Sequence, residues 1–89
     1  MARWTIAFEP KADKDLQRLG STDRARVLRF LNERVAPLDD PRTLGKALTA
    51  NFEGAWRYRV GHLRIIVRLE FDVLVVVVIA IGDRGDIYR

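Results

Sequence analysis

The chain has 89 residues, 48 % of them hydrophobic and 31 % charged, and it contains one histidine and no cysteine. This length predicts one small domain over residues 1–89, and the composition excludes a disulfide framework and a cysteine-based zinc site. The formal net charge of +4 predicts an anionic partner, such as nucleic acid or an acidic protein.

The sequence carries no sign of a secreted or membrane protein. Its first ten residues, MARWTIAFEP, lack the apolar segment of a signal peptide. The longest apolar run, residues 73–81, has nine residues, whereas a membrane-spanning helix needs about 20. We therefore expect a cytoplasmic protein without a membrane partner.

The N-terminal part of the chain predicts a strand followed by a helix. Residues 3–8 alternate between apolar and polar or small side chains, a period of two that indicates a half-buried strand. Pro10 suits the first turn of a helix, because an N–H at that position has no helical partner in any case. Apolar residues at helical spacing continue to residue 19, and Gly20 is predicted to end the helix with a positive φ.

A second helix is predicted between Ser21 and Pro37. Ser21 or Thr22 is expected to cap it, and Pro37 stops it. Its inner face is apolar at helical spacing and consists of Val27, Leu28, Leu31 and Val35. Its outer face is rich in arginine, which fits either a solvated surface or a docking surface for an acidic partner or rRNA. The short connection through Gly20 predicts an antiparallel helix hairpin.

The C-terminal half predicts three strands after a connection of modest structure at residues 43–54. The strands cover roughly residues 55–60, 63–70 and 73–81. The first two meet at Gly61-His62, with glycine in the first position as a type II′ turn requires. The last strand is almost entirely β-branched, so we place it in the middle of the sheet, buried on both faces. The expected fold class is α+β in the order β-α-α-β-β-β, with the helix hairpin on one face of a small, mostly antiparallel four-stranded sheet.

Four arginines and no carboxylate lie between residues 55 and 69. They are Arg57, Arg59, Arg64 and Arg68. Strand alternation puts Arg57 and Arg59 on one face of their strand, and a tight hairpin brings them near Arg64. Clustered guanidinium groups repel one another unless an anion lies between them, and their planar donors suit phosphate. The four arginines are therefore predicted to bind RNA phosphates.

Arg84 and Tyr88 follow the last predicted strand and complete the predicted RNA-binding set. If the three C-terminal strands are adjacent, Arg84 lies near Arg57 and Arg64. Tyr88 either stacks on a nucleobase or packs its ring on the sheet. No set of catalytic carboxylates, nucleophilic cysteine, Ser-His-Asp triad or phosphate-binding loop is evident, and His62 is interpreted as a turn residue. No metal or cofactor is predicted, so chemistry on phosphate would use the substrate's own 2′-OH, with arginines stabilising the charge.

The motifs WRYRVGHLRIIV and IGDRGDIY, set in this order of elements, resemble the RelE toxins of the RelE/ParE superfamily. The resemblance implies a toxin of a type II toxin–antitoxin system that enters the ribosomal A site and cleaves mRNA there. It also implies a cognate RelB-like antitoxin that blocks the site, in a heterotetramer or a higher complex.

The resemblance implies catalytic roles for Arg57, Arg59, Arg64, Arg84 and Tyr88. Arg57 and Arg59 lie where RelE proteins carry two catalytic lysines. Arg64 and Arg84 match phosphate-contacting arginines, with Arg84 acting on the leaving 5′-oxygen, and Tyr88 matches the tyrosine that orients the nucleotide. Because arginine keeps its proton at neutral pH, the general base stays open between the ribosome, Tyr88 and no specific group.

Two other interpretations remain open. One is a ParE-like toxin that inhibits DNA gyrase by binding it, although such toxins lack the catalytic set. The other is a catalytically weak member that still binds an antitoxin, which the replacement of both lysines allows.

Overall fold

A computed structural model describes residues 3–49 and 53–83 of the chain. It has five strands: β1 (Thr5–Phe8), β2 (Lys46–Ala47), β3 (Trp56–Val60), β4 (Leu63–Glu70) and β5 (Val75–Asp83). Its helices are α1 (Pro10–Arg18) and α2 (Ser21–Phe30), which continues into a π-helical turn at Leu31–Val35. A short 3-10 helix follows at Pro41–Leu44.

The sheet has the strand order β1-β5-β4-β3-β2. β1 pairs with β5 in parallel, and all other neighbours are antiparallel. The predicted α+β class and the interior position of the last strand are confirmed. The strand count differs by one, because β2 adds two residues to the edge of the predicted four-stranded sheet. A strand that short shows no alternation, so the sequence pattern does not reveal it.

The core lies between the two helices and one face of the sheet. The helices contribute Ala12, Leu16, Val27, Leu31 and Val35, all buried. The sheet contributes Tyr58 and Val60 from β3 together with alternate residues of β4 and β5. On the opposite face a smaller buried cluster contains Ala55, Ile66 and Ala80. The period of two on β3 and β4 therefore sorts the sheet into a helix-covered face and an open face.

The connection between the helices differs from the prediction. α1 ends at Arg18, and both Leu19 and Gly20 are extended, with Gly20 at φ −63°. Gly20 therefore does not end α1 in the left-handed region; it is the N-cap residue of α2. Ser21 and Thr22 lie inside the first turn of α2 rather than at its cap. Two successive extended residues redirect the chain here without the positive φ that a glycine C-terminal cap supplies.

The turn between β4 and β5 is longer than predicted. β5 begins at Val75, so Val73 and Leu74 belong to the turn, where Val73 is 63 % exposed and Leu74 has φ 55°. On the open face, β5 is only partly buried at Val75 and Val77 but buried at Ala80, so the prediction that the last strand is buried on both faces holds for part of its length. Among residues 3–49 and 53–83, no helix is long and apolar enough to cross a membrane.

Candidate nucleic-acid interface

The β3–β4 hairpin sets the register of the candidate site. Gly61 has φ 61° while His62 does not have a positive φ, as expected for the predicted type II′ turn. Val60 pairs with Leu63 beside this turn, and the next pair is Arg59 with Arg64. In a two-residue hairpin the pair that flanks the turn exchanges hydrogen bonds, so Arg59 and Arg64 form a non-hydrogen-bonded pair. Such pairs bring Cα atoms within about 4.5 Å.

Three of the predicted arginines meet on the open face of the sheet. Arg57 pairs with Ile66, and Arg59 pairs with Arg64. Ile66 belongs to the buried cluster of the open face, whereas Tyr58 packs in the core beneath the helices. Alternation therefore places Arg57, Arg59 and Arg64 on the face opposite the helices. The prediction that these arginines converge depends on the same alternation, and the observed register agrees with it.

Small residues lie beside Arg64 on the next strand. Arg64 pairs with Gly82, and Ile66 pairs with Ala80. A shift in register between Ile66 and Val67 leaves Ile79 as an extra residue on β5. Because of this bulge, the small residues Ala80 and Gly82 lie on the open face at this end of the sheet. The space next to Arg64 is therefore not filled by a bulky neighbour on β5.

A fourth cation, Lys46, joins the arginines through the short strand β2. Lys46 pairs directly with Arg57, and directly paired residues share a face of the sheet. Lys46 is not among the predicted site residues, because nothing in the pattern of residues 43–54 shows that they add a strand to the edge of β3.

Arg68 lies apart from this group. It is four residues beyond Arg64 on β4, a distance of roughly 13 Å at strand rise. Its Nε donates to Glu70 Oε1 at 3.2 Å, and its Nη1 lies 3.5 Å from Glu9 Oε2. The two carboxylates raise the pKa of Arg68, the hydrogen bond to Glu70 being the largest cause. The structure thus gives Arg68 local partners and does not bring it to the other three arginines.

The electrostatic setting of Arg57 and Arg59 is different. Within the described part of the chain, neither guanidinium forms an ion pair with a carboxylate. Arg57 is half-buried, and its Nε is shielded from solvent and has no hydrogen-bond partner among residues 3–49 and 53–83. An unsatisfied buried donor of this kind is unfavourable by about 1–3 kcal/mol. An anion whose oxygens accept hydrogen bonds from the arginines would remove this unfavourable contribution.

His62 takes part in an ion-pair network that sequence reasoning missed. Its Nδ1 lies 2.5 Å from Asp83 Oδ1, and its Nε2 lies 3.2 Å from Asp23 Oδ2. The hydrogen bonds to Asp83 and then to Asp23 raise the pKa of His62. The ring links the first turn of α2 to the end of β5. The two carboxylates that contact His62 come from positions far apart in sequence, so no local sequence motif predicts these contacts.

Two predicted site residues, Arg84 and Tyr88, lie outside the described residues. Asp83, the last residue of β5, directly precedes Arg84 in the sequence. Among residues 3–49 and 53–83, no group of three or more histidine, aspartate or glutamate side chains is placed to hold a metal ion. Within that part of the chain, the arrangement offers a cationic surface for phosphate on the open face.

Comparisons with known proteins agree with this architecture. The family model of the ParE toxin of type II toxin–antitoxin systems matches residues 6–88. The chain is 29 % identical to Toxin RelG of Mycobacterium tuberculosis over 86 residues, which cover 97 % of each chain. It is also similar to the crystal structure of the toxin–antitoxin complex RelBE2 from the same organism, with a TM-score of 0.84, 27 % identity and 97 % coverage of both chains. The isolated E. coli RelE toxin gives a TM-score of 0.72 at 21 % identity, over 96 % of this chain and 90 % of that one, and supports the fold alone.

Proposed function

The chain belongs to the ParE/RelE family of toxins of type II toxin–antitoxin systems, and on that premise we propose that it is a ribosome-dependent endoribonuclease that cleaves mRNA in the A site. The observation that carries the proposal is the direct pairing of Arg59 with Arg64, with Arg57 on the same face. Like charges directly opposite each other on a sheet are destabilising. A phosphate bound between them would bring negative charge to both guanidinium groups.

The proposed reaction is transfer of the phosphate to the neighbouring 2′-oxygen. The 2′-oxygen attacks phosphorus, a 2′,3′-cyclic phosphate forms, and the bond to the 5′-oxygen breaks. The 5′-oxygen leaves and takes up a proton from water to give a 5′-hydroxyl. Arg59 and Arg64 bind the non-bridging oxygens and stabilise the charge that grows on them in the transition state. Arg57 supplies a further donor from the same strand. Arg84 stabilises the charge on the leaving 5′-oxygen and Tyr88 orients the nucleotide, as the resemblance to RelE toxins implies.

The arginines act through charge rather than as general bases. A guanidinium keeps its proton at neutral pH, so the proton of the 2′-OH leaves by another route, either to Tyr88 or to a group of the ribosome. Holding the 2′-oxygen, phosphorus and 5′-oxygen in line is itself a large contribution to such a reaction. In this proposal the ribosome positions the mRNA, and naked RNA is cut poorly.

An antitoxin is the second proposed partner. The structure similar to this chain at 27 % identity is that of a toxin–antitoxin complex, RelBE2. A toxin with a formal net charge of +4 is complementary to an acidic antitoxin of the RelB kind. We propose that such an antitoxin covers the cationic face and blocks it, within a heterotetramer or a larger complex.

Inhibition of DNA gyrase is the alternative, and the match to the ParE toxin family model favours it. The two functions separate in one experiment, in which the chain is induced in cells and mRNA is mapped by primer extension while purified protein is added to a gyrase supercoiling assay. Cleavage within translated codons with normal supercoiling is the expected result. Blocked supercoiling with intact mRNA would replace the proposal with the alternative.

A further inference from the structure

A hollow lies at the edge of the sheet, where β3 extends beyond Lys46, the first residue of β2. Its volume is about 370 Å³. Its lining includes Phe30, Arg34, Leu44, Lys46, Arg57 and Arg59. Four of these side chains are cationic, and none of the lining residues is acidic. We call this site the edge hollow.

The backbone at the edge hollow adds a hydrogen-bond donor. Leu48 N donates to Ala55 O at 3.0 Å, and Lys46 pairs with Arg57. Along an antiparallel strand alternate residues direct their N–H and C=O groups to the same side. Arg59 therefore directs its backbone groups toward β2, but β2 begins at Lys46 and has no residue opposite Arg59. This backbone N–H lies at the open edge beside the four cations.

The composition of the edge hollow fits a nucleotide. Its cations repel one another when no anion is present, and the shielded Nε of Arg57 lacks a partner among the described residues. Phe30 and Leu44 supply an apolar wall, and Phe30 makes an edge-type ring contact with Tyr58, with 5.7 Å between the centroids and an interplanar angle of 62°. Cations for a phosphate beside an aromatic ring for a base are the groups by which proteins bind single-stranded RNA.

The position of the edge hollow connects it to the proposed cleavage site. Arg57 and Arg59 line it from one side and also lie on the open face with Arg64. Arg34 reaches it from the π-helical turn that follows α2, and Lys46 reaches it from β2. A strand of RNA on the open face can therefore continue around the edge of β3 into the hollow.

We propose that the edge hollow binds one nucleotide of a single-stranded RNA, next to the phosphate that is cleaved, and that Arg34 and Lys46 contact its phosphate. The placement next to a cleaved phosphate rests on the proposed function, whereas the binding of RNA by Arg34 and Lys46 does not. Arg34 and Lys46 are binding residues in this proposal and take no part in the chemistry.

The test measures binding of an RNA that cannot be cleaved. A fluorescent single-stranded RNA hexamer with 2′-O-methyl groups is titrated with the full chain at several salt concentrations. The variant Arg34→Ala/Lys46→Ala is compared with Lys14→Ala/Arg18→Ala, which removes the same charge from exposed positions on α1. Circular dichroism melting curves establish that both variants fold.

We expect Arg34→Ala/Lys46→Ala to bind the hexamer at least tenfold more weakly than the control variant. The slope of log Kd against log salt should also fall by about 0.7, since the two residues bind one phosphate and each phosphate of a single strand contributes about 0.7. Equal affinity and equal salt dependence in the two variants would overturn the proposal. So would a wild-type chain that binds an acidic antitoxin peptide through Arg34 and Lys46 but does not bind the hexamer.

These outcomes are distinguishable from failure of the proposed function. If the chain does not cleave mRNA on ribosomes but its binding of the hexamer still depends on Arg34 and Lys46, the edge hollow is an RNA-binding site of a protein that does not cleave RNA. If the chain cleaves mRNA on ribosomes but the affinity for the hexamer does not depend on Arg34 and Lys46, the proposed enzymatic function holds and the edge hollow is not part of the RNA-binding site.

Discussion

Arg59 and Arg64 stand directly opposite each other on β3 and β4 as a non-hydrogen-bonded pair. Side chains are closest at such positions, and like charges there are unfavourable by roughly 0.2–1 kcal/mol. A phosphate bound between the two guanidinium groups would offset this unfavourable contribution. We therefore expect the pair to lower the stability of the free chain slightly and to strengthen the binding of an anion.

The first prediction separates these two effects. Replacing Arg59, which is exposed, by glutamine should leave the melting temperature unchanged or raise it by a few degrees, because repulsion is removed. The same variant should cleave mRNA on ribosomes about 100-fold to 1000-fold more slowly, as is typical when one donor to a transition-state oxyanion is lost. Arg18→Gln on α1 is the matched control. A fall in melting temperature together with unchanged cleavage would contradict the prediction.

The second prediction concerns Arg84 and Tyr88. Arg84→Ala and Tyr88→Phe should each relieve growth arrest in cells that express the chain, because leaving-group stabilisation and nucleotide orientation are lost. Both variants should still bind the antitoxin, which co-purification measures. Full toxicity of both variants would show that the catalytic set does not include these residues.

The third prediction concerns pH and His62. The carboxylates of Asp83 and Asp23 raise the pKa of His62 in the folded chain, so the ring binds its proton more tightly in the folded than in the unfolded state. The resulting stabilisation is complete below the ordinary value of about 6.5 and is lost as the pH rises through the higher folded-state value. The melting temperature should therefore fall between pH 5.5 and pH 8.5 by more in the wild type than in His62→Gln. An identical change in the two proteins would leave the His62 network without a role in stability.

The fourth prediction concerns Tyr58, whose hydroxyl donates to Pro41 O at 2.8 Å. The group is buried, and this burial raises the pKa of the Tyr58 phenol. Tyr58→Phe leaves the Pro41 carbonyl without its donor and should lower the free energy of unfolding by about 1–2 kcal/mol. Urea unfolding measures the loss. Tyr88→Phe removes the hydroxyl of the chain's other tyrosine and serves as the control.

The sequence predicts the open face well because two short rules determine it. A glycine in the first position of a two-residue turn sets the hairpin register, and a period of two then sets which side chains share a face. Arg57, Arg59 and Arg64 follow from these rules without further information. The burial of Tyr58 and Val60 on β3 agrees with the same pattern. β4 buries three successive residues, because Ile66 lies in the buried cluster of the open face.

Features that depend on contacts distant in sequence are less predictable. Lys46 joins the site only because β3 accepts a two-residue neighbour, and His62 acquires carboxylates from α2 and β5. Gly20 shows a different limit, because glycine permits both the left-handed and the extended conformation. The structure uses the extended one. Arg84 and Tyr88 stay predictions, since they lie outside the described residues.

The parallel pairing of β1 with β5 has a consequence for how the toxin comes into being. Thr5 pairs with Val75 and Phe8 with Val78, so the first strand to leave the ribosome waits for one of the last before it can join the sheet. Contacts of such long sequence separation form late, because the loop between them must close first. The sheet of this toxin is therefore complete only when translation is nearly finished.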